Sequence, residues 1–270
     1  MKYCINYYGN FRYLNEIDEI IFDYTGVGDI LNFIQEKIKP EQRVLLSLVH
    51  AEDLDALVPI VDRLKETHPN YTIILKRDQL IHRIKDNHPF FLGEYCKTFD
   101  QVYSFIELGV TDIYIVETLG FSIKDMSTYA HEHGVKVRAL PNVAQSTLGS
   151  LSQLPPECKF FIRPEDVSIY EPYVDVFELF GDDHKLSVTY EIYKEGNWKG
   201  ALGNLIKGLP LDFSLDAQSP YGEYRLNCGQ KCYKCKMCTI HRELNDIMDQ
   251  NNLRIVKEKE DAEQEKKEEI

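Results

Sequence analysis

An α/β fold, a TIM-like (β/α)8 barrel followed by a C-terminal cysteine-rich metal-binding segment, is predicted by three observations. Short apolar or β-branched runs recur at a regular interval through residues 1–213. Amphipathic stretches of helical period lie between them. Beyond them, four of the seven cysteines crowd into NCGQKCYKCKMCTIH, residues 227–241. Strands alternating with helices imply parallel pairing through crossover connections. The cysteine run needs a chemistry of its own.

The strand runs, in order, are YCINYY (3–8), EIIFDY (19–24), RVLLSLV (43–49), YTIILK (71–76), FFLGEY (90–95), DIYIVE (112–117), VKVRAL (135–140), KFFIRP (159–164) and VDVFELF (174–180). Between them DILNFIQEKI, DLDALVPIVDRLKE, FDQVYSFIELG and IKDMSTYAHEHG carry apolar residues at helical spacing. The last two end in Gly109 and Gly134, the residue type expected just past a helix C-terminus. Eight strand–helix units close a barrel, and residues 1–213 are the right length for one, although nine runs are one too many. TGVGD (25–29) follows the second run and reads as a turn with Asp29 capping a helix. YEIYKEGNWKGALGNLI (190–206) is expected to be helical, carrying Trp198, with Gly200 and Gly203 marking close packing. A Pro/Gly/Ser-rich link (208–227) then leads to the cysteines. The expected organisation is therefore a barrel over 1–213, a cysteine-rich segment with a helix over 214–253, and an acidic, disordered tail over 254–270.

Composition is that of a globular protein: 43% hydrophobic and 28% charged over 270 residues. No eighteen-residue apolar run occurs, and MKYCINYYGNFRY lacks the basic-then-apolar order of a secretory signal. A cytoplasmic location is expected, where thiols stay reduced and a cysteine cluster binds metal or does redox chemistry. A net charge of −13 argues against a broad nucleic-acid-binding surface. The sign reverses locally at Lys231, Lys234, Lys236, His241 and Arg242. Compensation of thiolate charge accounts for that patch, and a local RNA contact through Lys231–Arg242 is the functional alternative.

Cys228, Cys232, Cys235 and Cys238 follow C-x3-C-x2-C-x2-C. Zinc sites usually draw their ligands from two pairs set a dozen or more residues apart, whereas these pairs are nearly fused. Close thiolates on one tight loop suit a 4Fe–4S cluster, with zinc as the alternative metal. Cys4, Cys96 and Cys158 are available outsiders, but each lies in or near a strand run and reads as a core thiol. The spacing of Cys228, Cys232 and Cys235 is also that of radical S-adenosylmethionine enzymes, which place it after the first barrel strand rather than after the barrel.

In a barrel of this kind chemistry belongs at the C-terminal ends of the strands. Those ends carry Asn6, Asp23, His50, Arg77, Glu94, Glu117, Arg138, Asn142 and Glu178. Strand ends become polar wherever a chain meets water, so polarity alone singles out none of them. Glu178 and Arg138 stand out because each interrupts an apolar run, and with Glu117 they are the candidate catalytic residues. Phe177 and Leu179 would face the helices while Glu178 points inward or to the mouth. A carboxylate there needs a cation, from Arg138 or Arg163, and such a pair could fix an acidic substrate or act as acid and base.

RPEDVSIYEPYVDVFELFGDDHKLSVTYEIY, through Pro164, Asp166, Val167, Val174, Asp175, Glu178 and Gly181, resembles the collagenase-like peptidase family. GVTDIYIVETLGFSIKDM, through Gly109, Val110, Asp112, Glu117 and Leu119, resembles it too. The resemblance spans most of residues 1–195. It implies a modified TIM-like barrel in which VDVFELF is the eighth strand and KFFIRP an extra piece. It also implies, for several members, a four-cysteine 4Fe–4S cluster and oxygen-independent hydroxylation of tRNA or rRNA bases or of ubiquinone precursors; other members are peptidases. Two departures matter. The family's cysteine-bearing insert after the seventh strand is reduced here to NVAQSTLGSLSQLPPEC, and the arginine of its "EGR" strand end is missing. The substrate therefore does not carry over. The expected function is an iron–sulfur barrel enzyme modifying a base or small ring compound. A metal-stabilised, non-enzymatic binding or assembly protein is the second reading. A peptidase is the third, without a H-E-x-x-H helix or a nucleophile–base arrangement to support it.

Overall fold

Among the described residues, near-continuous apolar runs joined by crossover helices produce one all-parallel sheet of nine strands, in the order β5-β4-β3-β2-β1-β9-β8-β7-β6. The computed structural model describes residues 1–24, 30–116, 123–144, 160–181, 183–213 and 221–227. The strands are β1 Lys2–Asn6, β2 Glu19–Asp23, β3 Arg43–Ser47, β4 Tyr71–Leu75, β5 Phe90–Leu92, β6 Tyr95–Cys96, β7 Asp112–Ile115, β8 Lys136–Ala139 and β9 Val176–Leu179. Seven of the nine expected runs each give one strand. FFLGEY is split by Gly93 and Glu94 into β5 and β6, which stand at opposite ends of the hydrogen-bonded order. The Thr111 amide nevertheless donates to the Phe90 carbonyl at 2.9 Å.

The sheet is strongly curled, and one distance proves it. From β3 to β7 is five strand steps, about 24 Å in a flat sheet. Yet Arg43 on β3 meets Asp112 on β7 at 2.6 Å. Side chains of one strand face project into the concavity, while the alternate residues pack against helices. On β9, Phe177 and Leu179 take the helix side and are buried, and Glu178 takes the concave side, as the sequence period requires.

Helices α1 (Ile30–Lys37), α2 (Val58–Thr67), α4 (Phe99–Glu107) and α5 (Ile123–Glu132) form where helical spacing predicts them. Each buries a narrow apolar stripe, such as Val102 and Phe105 on α4. Thr98 caps α4 by accepting from the Gln101 amide at 3.3 Å. Gly109 and Gly134 adopt φ of 78° and 73°, the left-handed conformation that ends their helices. A short helix, α3 (Ile84–Asn87), precedes β5.

Two expectations need correction. The apolar run KFFIRP counted as a ninth strand run gives no strand over residues 160–164, in keeping with its place as an extra piece before VDVFELF; Phe160, Phe161 and Ile162 are buried, and α6 (Val167–Tyr170) follows. The helix expected over 190–206 ends early, because α7 spans Asp183–Glu195 and Gly196 then turns with φ 66°. Trp198, Gly200 and Gly203 lie beyond it. The close packing read from these glycines is real: a Cβ on Gly203 would lie 1.7 Å from the Pro210 carbonyl oxygen. The TGVGD turn lies outside the described residues. Among the described residues no helix is long and apolar enough to cross a membrane.

Candidate active site

Charged residues at the starts of strands β2, β3 and β7 converge inside the curl. Arg43 grips Asp112 with both terminal nitrogens, at 2.7 and 2.6 Å, and donates to the Thr72 hydroxyl at 2.7 Å. Arg138, on β8, donates through Nη1 to Glu19 at 2.5 Å and to Asp112 at 3.2 Å. Glu19, Asp112 and Arg138 are fully or almost fully buried. Ionised groups removed from water need close, hydrogen-bonded partners, and this lattice supplies them. Burial alone would raise the Asp112 carboxyl, but the Arg43 hydrogen bonds and both guanidinium charges hold it down at about 2.

Arg138 links this lattice to the C-terminal half of the sheet. Its guanidinium lies over the rings of Phe91 and Tyr114, 5.2 and 5.7 Å from their centroids. Its Nε and Nη2 make no hydrogen bond, and Nη2 comes no closer to Glu178 Oε2 than 3.6 Å. The Tyr114 hydroxyl donates to the same Oε2 at 2.5 Å. Glu178 has 13% of its side chain exposed, against 2% for Glu19 and 0% for Asp112, so it is the carboxylate of this group that meets solvent. Burial raises the Glu178 carboxyl above the ordinary value, and the Glu19 charge adds to the rise; Arg138 and the Tyr114 hydrogen bond oppose it only in part.

Tyr95 forms the outer wall. Its ring centre is 5.5 Å from that of Tyr114, and the residue is 39% exposed. Burial and the Glu178 charge push its phenol up to about 12. Nearby strand ends are tied together: Asn6 donates to Asp23 at 3.2 Å, and Asn142 pairs with both backbone groups of Phe180. Lys207 sits 4.2 Å from the Phe180 ring centre.

The expected pairing of Glu178 with Arg138 is thus present. Arg163, the other candidate cation, is not the partner: it forms a fork with Asp166 at 2.6 and 2.8 Å. Glu117 and the four clustered cysteines lie outside the described residues, as does Cys158. Cys4 and Cys96 are buried free thiols; burial pushes Cys4 well up and Cys96 to about 12, so neither is a ready nucleophile. Among the described residues no three His, Cys, Asp or Glu side chains gather as a metal site.

The helix preceding the cysteines is docked on the sheet's outer layer. Tyr221 of α8 (Tyr221–Asn227) stacks on Phe161 at 4.8 Å, Tyr170 donates to the Gly222 carbonyl at 3.3 Å, and Leu226 is buried.

Sequence reasoning did not assemble Glu19, Arg43, Asp112 and Tyr114 into this site. The usable signal was charge on the inward period of a strand, as in E-I-I-F-D, R-V-L-L-S and D-I-Y-I, where a bland core would hold an aliphatic residue.

No family model matches the chain. A stretch of 86 residues is 33% identical to the uncharacterized protease MJ1657 of Methanocaldococcus jannaschii, covering 29% of this chain and 26% of that relative. The shared stretch is about a quarter of the relative's length, a loose peptidase-like relationship.

Proposed function

We propose that this chain is a barrel-type enzyme whose reaction takes place at the C-terminal end of the strands, over Glu178, with Arg138 and Tyr114 as its immediate supports. The sheet would close through the 90–96 run, β5 and β6 acting as two halves of one strand, to give eight strands in all. The Thr111–Phe90 hydrogen bond supports that closure. The observation that carries the functional reading is the environment of Glu178: a partly exposed carboxyl with a 2.5 Å tyrosine donor and a buried guanidinium held just out of hydrogen-bonding reach. Such a carboxyl is suited to give and take a proton.

Cys228, Cys232, Cys235 and Cys238 would hold a 4Fe–4S cluster, for which four thiolate donors within eleven residues are a suitable set. Cys4 and Cys96 would not contribute, since burial keeps them as thiols. When bound, the cluster would supply electron transfer or Lewis acidity; zinc would supply neither redox chemistry nor visible colour. The chain's own residues would bind and orient the substrate and manage one proton at Glu178. The substrate class is a nucleobase or small ring compound, for which the Tyr95 ring offers a stacking surface. Any RNA contact would run through Lys231–Arg242, since the chain as a whole carries −13. A cytoplasmic setting suits the reduced thiols. Peptidase activity is the reading favoured by the relative's name alone.

Anaerobic purification of the full chain tests this reading. Visible absorbance that dithionite bleaches, with about four iron and four sulfide per chain, is the expected result. Stoichiometric zinc without iron would overturn the cluster and favour a metal-stapled binding protein.

A further inference from the structure

Glu19 and Glu178 stand on opposite sides of one residue. Cys4 on β1 is in register with Glu19 on β2 and with Glu178 on β9. The thiol is small, and the Arg138 guanidinium lies beside it, within reach of both carboxylates. A guanidinium is planar and rigid, so its Nη1 and Nη2 move together and a firm hold on one side limits the approach on the other. It is committed to Glu19 and Asp112 through Nη1, at 2.5 and 3.2 Å, and stops 3.6 Å short at Glu178.

Charge balance points the same way. The lattice holds three carboxyls, Glu19, Asp112 and Glu178, and two guanidiniums, Arg43 and Arg138. One negative charge is in excess among these ion-paired groups, and the half-buried Lys136 offsets it on the side of Asp112 and Glu19. A proton relieves that excess most readily where the ion pair is loosest and water can reach, which is Glu178.

We propose that Glu19 is a positioning residue for the Glu178 site: by holding Arg138 towards the N-terminal end of the strands, it leaves Glu178 as the carboxyl that carries an exchangeable proton. This rests on the reading of Glu178 as the reactive group. The groups facing Glu178 are Arg138 from β8, Tyr114 from β7, Tyr95 from β6, Cys4 from β1 and Glu19 from β2. Tyr114 and Tyr95 stay neutral phenols, since burial raises both, and Cys4 stays a thiol for the same reason. Arg138 and Glu19 are then the charged groups through which the protonation of Glu178 is set.

The test is a carbon-13 NMR titration of the glutamate carboxyls in the full chain, with the Glu178 signal assigned by its loss in Glu178→Gln. In the wild type this signal should titrate above ordinary glutamates. Glu19→Gln should free Arg138 to close on Glu178. The protonated-to-ionised ratio, read at the wild-type midpoint, should then fall by about tenfold. Glu19→Asp keeps the charge and shortens the reach, so it should lower the midpoint as well. It also carries the test alone if Glu19→Gln does not fold. An unchanged Glu178 midpoint in the folded variants overturns the proposal. So does a shift in Glu19→Gln that is absent from Glu19→Asp, which would assign the effect to charge rather than position. The titration needs no substrate: if it behaves as expected while Glu178→Gln keeps full activity, the positioning stands and the active-site reading falls.

Discussion

The hydroxyl of Tyr114 donates to Glu178 Oε2 at 2.5 Å, across the gap between β7 and β9. β8 lies between these strands and contributes Arg138, so three neighbouring strands each supply one member of the site. Hydrogen bonding favours the ionised carboxyl, while burial favours the protonated one, and burial prevails. Tyr114→Phe removes the donor. It should raise the Glu178 carboxyl further and cost about 1–3 kcal/mol where Glu178 is ionised, with a smaller cost in acid. Urea unfolding of both proteins across the pH range checks the difference.

Stability should depend on pH in two separate windows with opposite signs. Asp112 is depressed to about 2, so its stabilisation is present above the ordinary aspartate range and is lost as pH falls towards 2. Glu178 is raised, so its contribution is full below the ordinary glutamate value and is lost as pH rises through its own higher value. Glu178→Gln should flatten the second window and leave the first intact. Chemical denaturation at closely spaced pH values reads both.

Asp112→Asn should be among the most damaging single changes in the interior. It keeps the shape but leaves Arg43 and Arg138 short of a buried counter-charge, at a cost of about 3–5 kcal/mol. The acid window should vanish with it. An unfolding midpoint close to the wild type would show that the lattice contributes little.

The loop that follows α7 is packed backbone to backbone. Gly203→Ala would drive a Cβ into the Pro210 carbonyl and should cost about 1–3 kcal/mol through strain. Gly109→Ala meets open space and bears only the left-handed backbone penalty, about 1 kcal/mol. Thermal unfolding of the two variants compares crowding with conformation.

Metal content should depend on the clustered cysteines and on no described one. Single serine replacements at Cys228, Cys232, Cys235 or Cys238 should each sharply lower bound metal, whereas Cys4→Ser and Cys96→Ser should not. Full occupancy in two of the four would replace the four-ligand site with three local ligands and an outsider.

Much of the fold was legible because short continuous apolar runs, buried on both faces as in β3 and β4, and helix-ending glycines are local signals. The split of FFLGEY was not, since Gly93 packs between Ile74 and Val49, contacts that exist only after β4 has formed. The apolarity of KFFIRP overcounted the strand runs by one for the opposite reason: its aromatic residues are buried against α6, α8 and the 201–213 loop. In the site, Glu178 and Arg138 were visible as interruptions of apolar runs. Their separation by only 3.6 Å, and the competing hold of Glu19, depend on strand register across the curl, which no single run encodes.

The most direct test asks whether Glu178 does chemistry or only packs. Cells lacking the gene would be complemented with wild type or Glu178→Gln, matched for protein and bound metal, and their RNA nucleosides and small ring metabolites profiled by mass spectrometry. A modified compound should disappear on deletion, return with the wild type and stay absent with Glu178→Gln. Full restoration by Glu178→Gln would contradict a chemical role for Glu178.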